Sequence, residues 1–376
     1  MRIVVNTRLL LKNKLEGIGW FTYESLIRIT RNHPECEFVF VFDRNYDKEF
    51  IFSSNIIPVV IPPQARHPIL YYLWFEYSIP YILNKYKPDL FLSPDGYLSL
   101  SSQTKQLAVF HDLNFEHYPK DLPYLERKNY RYFFPRYALK ASRIATVSEF
   151  SKKDIADKYS VPIEKIDVVY NGVGENYKLL EKEDIFRIKQ RISSGKPYFV
   201  FVGSLHPRKN LKNLFKAFNQ FSLVNKSGIK LVIVGEKKWW TDDIESAFNE
   251  IQNKEDVIFT GRLTPLELNN VYGAALALTY VSYFEGFGIP IIEAFKCGTA
   301  VITSDVSSLP EVAGDAALYV DPFSIDSISK AMNTIALDEK LRINLIEKGL
   351  KRAQSFSWDN TAKNLWASIE KTILEK

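Results

Sequence analysis

Tyr198-Phe-Val-Phe-Val-Gly-Ser-Leu-His-Pro-Arg-Lys-Asn210 is the stretch that decides how this chain folds. Five apolar, β-favouring residues stop at Gly203, and a helical pattern opens near Asn210. A buried strand that runs through a short loop into a helix starts a strand–helix–strand unit with a parallel sheet. More short apolar runs follow near 230–234, 257–260, 275–279, 300–303 and 317–320, with helical patterns between them. The same rhythm precedes it. Runs near 2–6, 37–42, 56–61, 89–92, 106–110, 144–147 and 166–170 alternate with helical patterns such as 19–30, 69–86, 125–141 and 149–158. Between the two series, residues 172–196 read Gly-Val-Gly, a charged stretch, then Ser-Ser-Gly-Lys-Pro, which are turn signals around one short helix. The fold class is therefore α/β, with two consecutive doubly wound domains. Such sheets bind ligands at the carboxyl ends of their strands, so a cleft between two of them is the expected site.

Composition agrees. A length of 376 residues suits roughly two domains. Hydrophobic residues make up 46% and charged residues 25%, which excludes global disorder. Two cysteines, Cys36 and Cys297, exclude a disulfide scaffold and a Cys-rich zinc framework, and fit a reducing compartment. Met1-Arg-Ile-Val-Val-Asn6 enters a strand pattern without the apolar segment of a signal peptide, so none is expected. The longest charge-free stretch, between Glu267 and Glu285, is broken by Asn269, Asn270 and Gly273 and reads as helix, turn and buried strand. The net charge of +5 predicts no nucleic-acid partner, but permits anionic substrates or an anionic surface.

Five places carry candidate chemistry. Gly17-Ile-Gly19 precedes a helix beginning near Trp20, where bare backbone and a helix N-terminus favour an anion; two turn glycines are the plain alternative. It is no dinucleotide fingerprint, since Thr22 stands where the third glycine belongs. Arg208 and Lys209 lie beyond a strand end beside a helix N-terminus, where a diphosphate would bind, although surface Arg-Lys pairs are usually just solvated. Glu285-Gly-Phe-Gly-Ile-Pro-Ile-Ile-Glu293 puts one carboxylate in the loop after a buried strand and the other one turn into a helix that opens at Pro290. Gly286 and Gly288 would bring backbone N–H groups to a ligand, and Glu293 would accept from sugar hydroxyls; the alternative is a helix-dipole partner and a surface acid. His111-Asp112 ends the apolar run Leu107–Phe110 and so stands at a strand end, either as a site residue or as a His held by its neighbour. Finally, 124–143 carries Arg127, Lys128, Arg131, Arg136, Lys140 and Arg143 against Glu126, interleaved with Tyr and Phe. That helix could lie on an anionic membrane or be an ordinary crossover helix; the upstream stretch Leu70–Phe75 reads as core. No metal-ligand cluster and no D-x-D pair occurs, so no metal is expected.

Over nearly its whole length the chain resembles the retaining family 4 glycosyltransferases of the GT-B architecture, two Rossmann-like domains facing across a cleft. The resemblance rests on the glycines at 17 and 19, His111-Asp112, Thr146-Val-Ser-Glu149 with Tyr170-Asn-Gly-Val173, Gly203–Asn210, Phe259-Thr-Gly261, Glu285 to Glu293, and Leu309-Pro-Glu-Val312. It implies an acceptor domain at 1–175 plus a returning C-terminal helix at about 358–376, a nucleotide-sugar domain at 196–357, and a linker at 176–195. By the same resemblance Arg208 and Lys209 would neutralise the diphosphate, and Glu293 would hold the ribose. Glu285, with the N–H groups of Phe287, Gly288 and Ile289, would hold the transferred sugar and a phosphate. His111 would meet the donor sugar, with Asp112 beside it. Gly17 and Gly19 would line the site, and the backbone around Gly261 and Leu263 would meet the base. Ser204 departs from the pattern: many members have arginine there, and Arg208 is the available replacement.

The expected reaction breaks a sugar–phosphate bond through an oxocarbenium-like state while cations and helix-end N–H groups stabilise the departing diphosphate. The Gly203–Asn210 wording is similar to bacterial mannosyltransferases of surface polysaccharide. It points to GDP-mannose as donor, with a UDP-sugar as the alternative, and to a glycan or lipid-linked acceptor. That would place the enzyme in the cytoplasm, peripheral at the inner face of the membrane. A nucleotide-sugar epimerase, a phosphorylase, a solute-binding protein and a dinucleotide-dependent dehydrogenase are the competing classes. The last two are disfavoured by the lack of an export signal and of a G-x-G-x-x-G.

Overall fold

Runs of β-branched and aromatic residues become the strands. Ile3, Val4 and Val5 are fully buried in β1 (Arg2–Asn6), as are Phe199, Val200 and Phe201 in β8 (Tyr198–Val202). Each such side chain contributes about 1.5–3 kcal/mol when taken from water. The structure, a computed structural model, describes residues 1–375; Lys376, the last residue of the expected closing helix, lies outside them.

The chain divides into two units. Unit one is Met1–Gly172 with the segment from Ser357 onward, and unit two is Val173–Phe356. Unit one holds a seven-stranded parallel sheet of β1, β2 (Glu37–Phe42), β3 (Ile56–Val60), β4 (Leu90–Ser93), β5 (Gln106–Phe110), β6 (Arg143–Thr146) and β7 (Ile166–Val168), in the order β3-β2-β1-β4-β5-β6-β7. Unit two holds six parallel strands: β8, β9 (Lys230–Val234), β10 (Val257–Gly261), β11 (Ala277–Tyr280), β12 (Ala300–Ser304) and β13 (Ala317–Val320), ordered β10-β9-β8-β11-β12-β13. Both sheets reverse their winding beside their first strand, between β1 and β4 and between β8 and β11. The crevice outside the strand ends at such a reversal is where doubly wound sheets bind ligands.

Three expectations need correction. Residues 176–195, expected as a linker with one short helix, belong to unit two: the helix, Lys182–Ser193, buries Ile188, and Lys178 N–H donates to Asn269 Oδ1 at 2.7 Å. Its dense charges conceal a narrow apolar stripe. Next, the helix expected over 69–86 is interrupted. Pro68–Leu73 and Ile79–Tyr86 flank a wide five-residue turn, Trp74–Ser78. Pro80 lacks an N–H and its ring would strike the carbonyl four residues back, which a widened turn relieves. Last, Leu70–Phe75 is only partly core: Trp74 and Phe75 are buried, whereas Tyr72 and Leu73 stay exposed.

The closing helix Trp358–Leu374 packs within unit one. Trp366 stacks on His33 with ring centroids 3.5 Å apart, and Thr361 Oγ1 donates to the Tyr170 carbonyl at 2.7 Å. Among the described residues no helix is long and apolar enough to cross a membrane.

Candidate functional site

In unit two, the loops after β8 and β11, the strands on either side of the reversal, bring Arg208, Lys209 and Glu285 together. After Gly203 the chain makes a single tight turn, Pro207–Lys209, in which His206 Nδ1 accepts from the Arg208 N–H at 3.3 Å. Asn210 then adopts a left-handed backbone, and its side-chain amide donates to the carbonyls of Val281 (2.9 Å) and Pro322 (2.7 Å). That anchors the start of the helix Leu211–Val224.

Lys209 Nζ donates to Glu285 Oε1 at 2.5 Å, and Arg208 Nη1 donates to Glu285 Oε2 at 2.5 Å and to the Phe284 carbonyl at 3.2 Å. Tyr280, at the end of β11, donates its hydroxyl to Glu285 Oε1 at 2.9 Å and takes a hydrogen bond from Lys209. The side chains of Lys209 and Glu285 are 9% and 6% exposed; that of Arg208 is 20% exposed and faces water most. Burial alone would raise the Glu285 carboxyl. The two cations outweigh it and hold the group at about 2. Burial and the Glu285 charge push the Tyr280 phenol well up, so it stays a donor. With two cations and one carboxylate the cluster has a net positive charge, suited to a multiply charged anion.

Beyond Glu285 the backbone turns sharply. Ser308 Oγ donates to the carbonyls of Glu285 (2.9 Å) and Phe287 (3.0 Å), and Phe287 is buried against Phe356. Gly288 has φ +110° and sits where a Cβ would lie 2.9 Å from Leu309, so only glycine fits. It caps the helix Ile289–Lys296, with Pro290 in the first turn as expected. Glu293 lies in that helix. Tyr272 donates to its Oε2 at 2.9 Å, and Tyr177 also hydrogen-bonds it. Burial raises its pKa and the two phenols oppose that rise. Gly261 ends β10 in a left-handed backbone with open space above it, and Leu263 is half-buried in the loop that follows.

In unit one, Gly17 and Gly19 are not a loop before the helix; they are its first turn, since the helix runs Gly17–Asn32. Gly17 is exposed, with open space where a side chain would stand, whereas Gly19 packs against Leu15 and the Leu9 carbonyl. His111 follows β5. Its Nε2 lies 2.8 Å from the Pro94 carbonyl, Phe21 meets its ring edge-on at 5.1 Å, and burial lowers its pKa. Asp112 accepts from the Asn114 N–H at 3.0 Å, just before the short helix Asn114–His117.

The helix Tyr124–Lys140 has a buried and an exposed side. Phe134, Tyr137 and Ala138 pack into the core, while Tyr124, Leu125, Tyr132 and Leu139 remain exposed. Arg127 and Lys128 lie over the Tyr124 ring and Arg136 over Tyr132. Tyr72 reaches this helix at Phe133, so the exposed aromatics of both helical segments adjoin.

Sequence reasoning missed Tyr280, Tyr272 and Tyr177, because a tyrosine in an apolar run reads as core. The one available signal was that Tyr280 ends the strand five residues before Glu285. It also missed Arg8 and Asp95, buried as a pair beside β1 and β4. Among the described residues no three His, Cys, Asp or Glu gather to hold a metal ion.

Comparison with known proteins agrees with this layout. The profile of the family described as Glycosyl transferases group 1 matches residues 182–352, and that of Glycosyltransferase Family 4 matches 29–176. The O-antigen chain mannosyltransferase B of Escherichia coli is 30% identical over 305 residues, covering 78% of this chain and 78% of that protein. The O-antigen chain mannosyltransferase RfbU of Salmonella typhimurium strain LT2 is 27% identical over 281 residues, covering 75% and 74%. Among solved structures, Anabaena Alr3699/HepE in complex with UDP-glucose matches with a TM-score of 0.77 at 16% identity, over 99% of this chain and 100% of that one. WaaG, a glycosyltransferase involved in lipopolysaccharide biosynthesis, matches with a TM-score of 0.73 at 15% identity over 98% of each chain.

Proposed function

We propose, from the premise that this chain belongs to the family 4, group 1 glycosyltransferases, that it transfers mannose from GDP-mannose to a glycan or lipid-linked acceptor of a surface polysaccharide, with retention of configuration. One observation carries the reading: the buried Arg208–Glu285–Lys209 cluster at the strand ends beside the winding reversal of unit two. The mannosyl donor is supported by the names of the two O-antigen relatives.

In this reading unit two takes the nucleotide sugar. Arg208, the more exposed cation, meets the diphosphate first, and Lys209 supports it from below. As the sugar–phosphate bond breaks, charge grows on the leaving diphosphate, and preorganised cations stabilise it without the reorganisation that water would need. Glu285 fixes both cations and contacts the sugar. Glu293, oriented by Tyr272, accepts from the ribose hydroxyls, and the N–H groups of Phe287, Gly288 and Ile289 complete the phosphate contacts. The backbone near Gly261 and Leu263 meets the base. The acceptor oxygen attacks the face the diphosphate leaves, and the diphosphate takes the acceptor proton. Unit one takes the acceptor near Gly17 and Gly19, and its His111, with Asp112 beside it, meets the transferred sugar. No metal enters this scheme, because Arg208 and Lys209 supply the positive charge. The exposed aromatics and cations of 124–140, with Tyr72 and Tyr77, favour peripheral contact with anionic lipid at the inner face of the cytoplasmic membrane.

The test is ligand-induced stabilisation. GDP, UDP, GDP-mannose and UDP-glucose are each added with and without EDTA. A ligand at about 100 times its Kd stabilises by about 2.7 kcal/mol. Stabilisation by the two guanine ligands, unchanged by EDTA, is expected. Stabilisation by the uracil ligands alone overturns the donor, and loss of it in EDTA overturns the metal-free scheme.

A further inference from the structure

Unit one buries an ion pair that the transfer scheme leaves unused. Arg8 and Asp95 follow β1 and β4, the strands at the winding reversal, and His111 follows β5, the next strand over. Arg8 Nε donates to Asp95 Oδ2 at 2.6 Å, with side chains only 9% and 3% exposed. Its guanidinium lies 4.9 Å from the centre of the Tyr71 ring and 5.0 Å from that of Tyr97. The other carboxylate oxygen, Oδ1, accepts from Asn6 Nδ2 (2.8 Å), Ser93 Oγ (3.1 Å) and the Tyr97 N–H (3.3 Å). A buried charge costs several kcal/mol unless it is paired and saturated, and here both conditions are met.

The turn that this carboxylate holds is Ser93-Pro94-Asp95-Gly96. Its other side is clamped too. Gly96 has φ +83°, and a Cβ there would lie 2.9 Å from the Phe110 ring, one residue before His111. The Pro94 carbonyl is thus fixed from both sides, and it is the group that lies 2.8 Å from His111 Nε2. A carbonyl oxygen only accepts, so the proton must sit on Nε2. In the neutral ring the lone pair is then on Nδ1, and among the described residues nothing donates to it.

We propose that Asp95, clamped by Arg8, is a positioning residue that fixes His111 in the Nε2–H form, so that His111 meets its ligand as a hydrogen-bond acceptor for a hydroxyl and not as a proton donor. The ligand class is a polyol such as a sugar. The placement of His111 in the site rests on the functional reading above; its tautomer does not.

The test uses the full chain labelled with 15N-histidine and no substrate. The His111 signal is identified by its loss in His111→Gln. At pH 7 it is expected to show a protonated Nε2 and an unprotonated Nδ1. The Nδ1–H form or the imidazolium overturns the proposal. Asp95→Asn is then expected to raise the minor tautomer about five- to tenfold, the effect of losing one hydrogen bond. Nucleoside diphosphate binding should hold, since Arg208, Lys209 and Glu285 are untouched. Should that variant not fold, Gly96→Ala displaces the same turn without unpairing Arg8. A folded variant whose tautomer ratio stays at the wild-type value reduces the pair to a brace and overturns the proposal. Because the tautomer is read without a transfer assay, a failure of the glycosyltransfer reading remains separable from a failure of this one.

Discussion

Glu285→Gln keeps the shape of the side chain and removes its charge, which isolates what that charge contributes. In the wild type two cations share this one carboxylate in a site where its side chain is 6% exposed. Burial raises the carboxyl and Arg208 and Lys209 overcome that, bringing it from 4.5 to about 2. That displacement corresponds to about 3 kcal/mol in favour of the charged form. Breaking a buried pair from one side costs about 3–5 kcal/mol, a similar magnitude. At pH 7 the variant should therefore lose about 3 kcal/mol of unfolding free energy, read by urea denaturation through Trp239 and Trp240 of unit two. The folded value lies below the unfolded one. The wild-type advantage is therefore complete above about pH 4.5 and drains as pH falls toward 2, so the gap to the variant should close across that window. A nucleoside diphosphate supplies the missing negative charge and should restore more stability to the variant than it adds to the wild type. Transfer activity should fall at least about a hundredfold, the scale of losing one electrostatic element of a site. A variant as stable as the wild type at pH 7, with no acid dependence in the difference, would refute the reasoning, since it would mean that the cations are solvated.

Three further outcomes are expected. Lys209→Met should lower kcat by about 10²–10³-fold with the fold retained; a change of twofold or less removes Lys209 from the leaving-group role. Tyr272→Phe deletes the 2.9 Å hydrogen bond to Glu293 and should raise KM for the nucleotide sugar about five- to tenfold with kcat little changed; an unaltered KM separates Glu293 from donor binding. In vesicle flotation the wild type should bind anionic vesicles over neutral ones, and Arg131→Glu combined with Arg136→Glu should cut that binding more than about tenfold, since each surface cation is worth about 1 kcal/mol. Equal binding to both lipids dismisses the membrane surface.

Much of this was legible in the residues. The strands announce themselves because a sheet buried on both faces needs continuous apolar runs, and Tyr198–Val202 and Arg2–Asn6 have little freedom to be anything else. Pro290 marks a helix start because it lacks an N–H, whereas the positive φ of Gly288 just before it is known only from the structure. Charge next to a strand end singled out Arg208 with Lys209 as one candidate place and Glu285 as another, since strand ends at one edge of a parallel sheet are where ligands bind.

What the residues alone could not decide was pairing. That Arg208 and Lys209 share a single carboxylate 76 positions or more away follows from β8 and β11 being neighbours, which is a matter of sheet order. The same holds for Tyr272 on Glu293 and for Arg8 on Asp95, where apolar-looking or isolated residues acquire chemical roles only through their neighbours in space. Local sequence sets backbone conformation and burial because those depend on nearby side chains and periodicity. The protonation of Glu285 and the orientation of His111 depend on groups brought in by other strands, so the tertiary structure alone decided them.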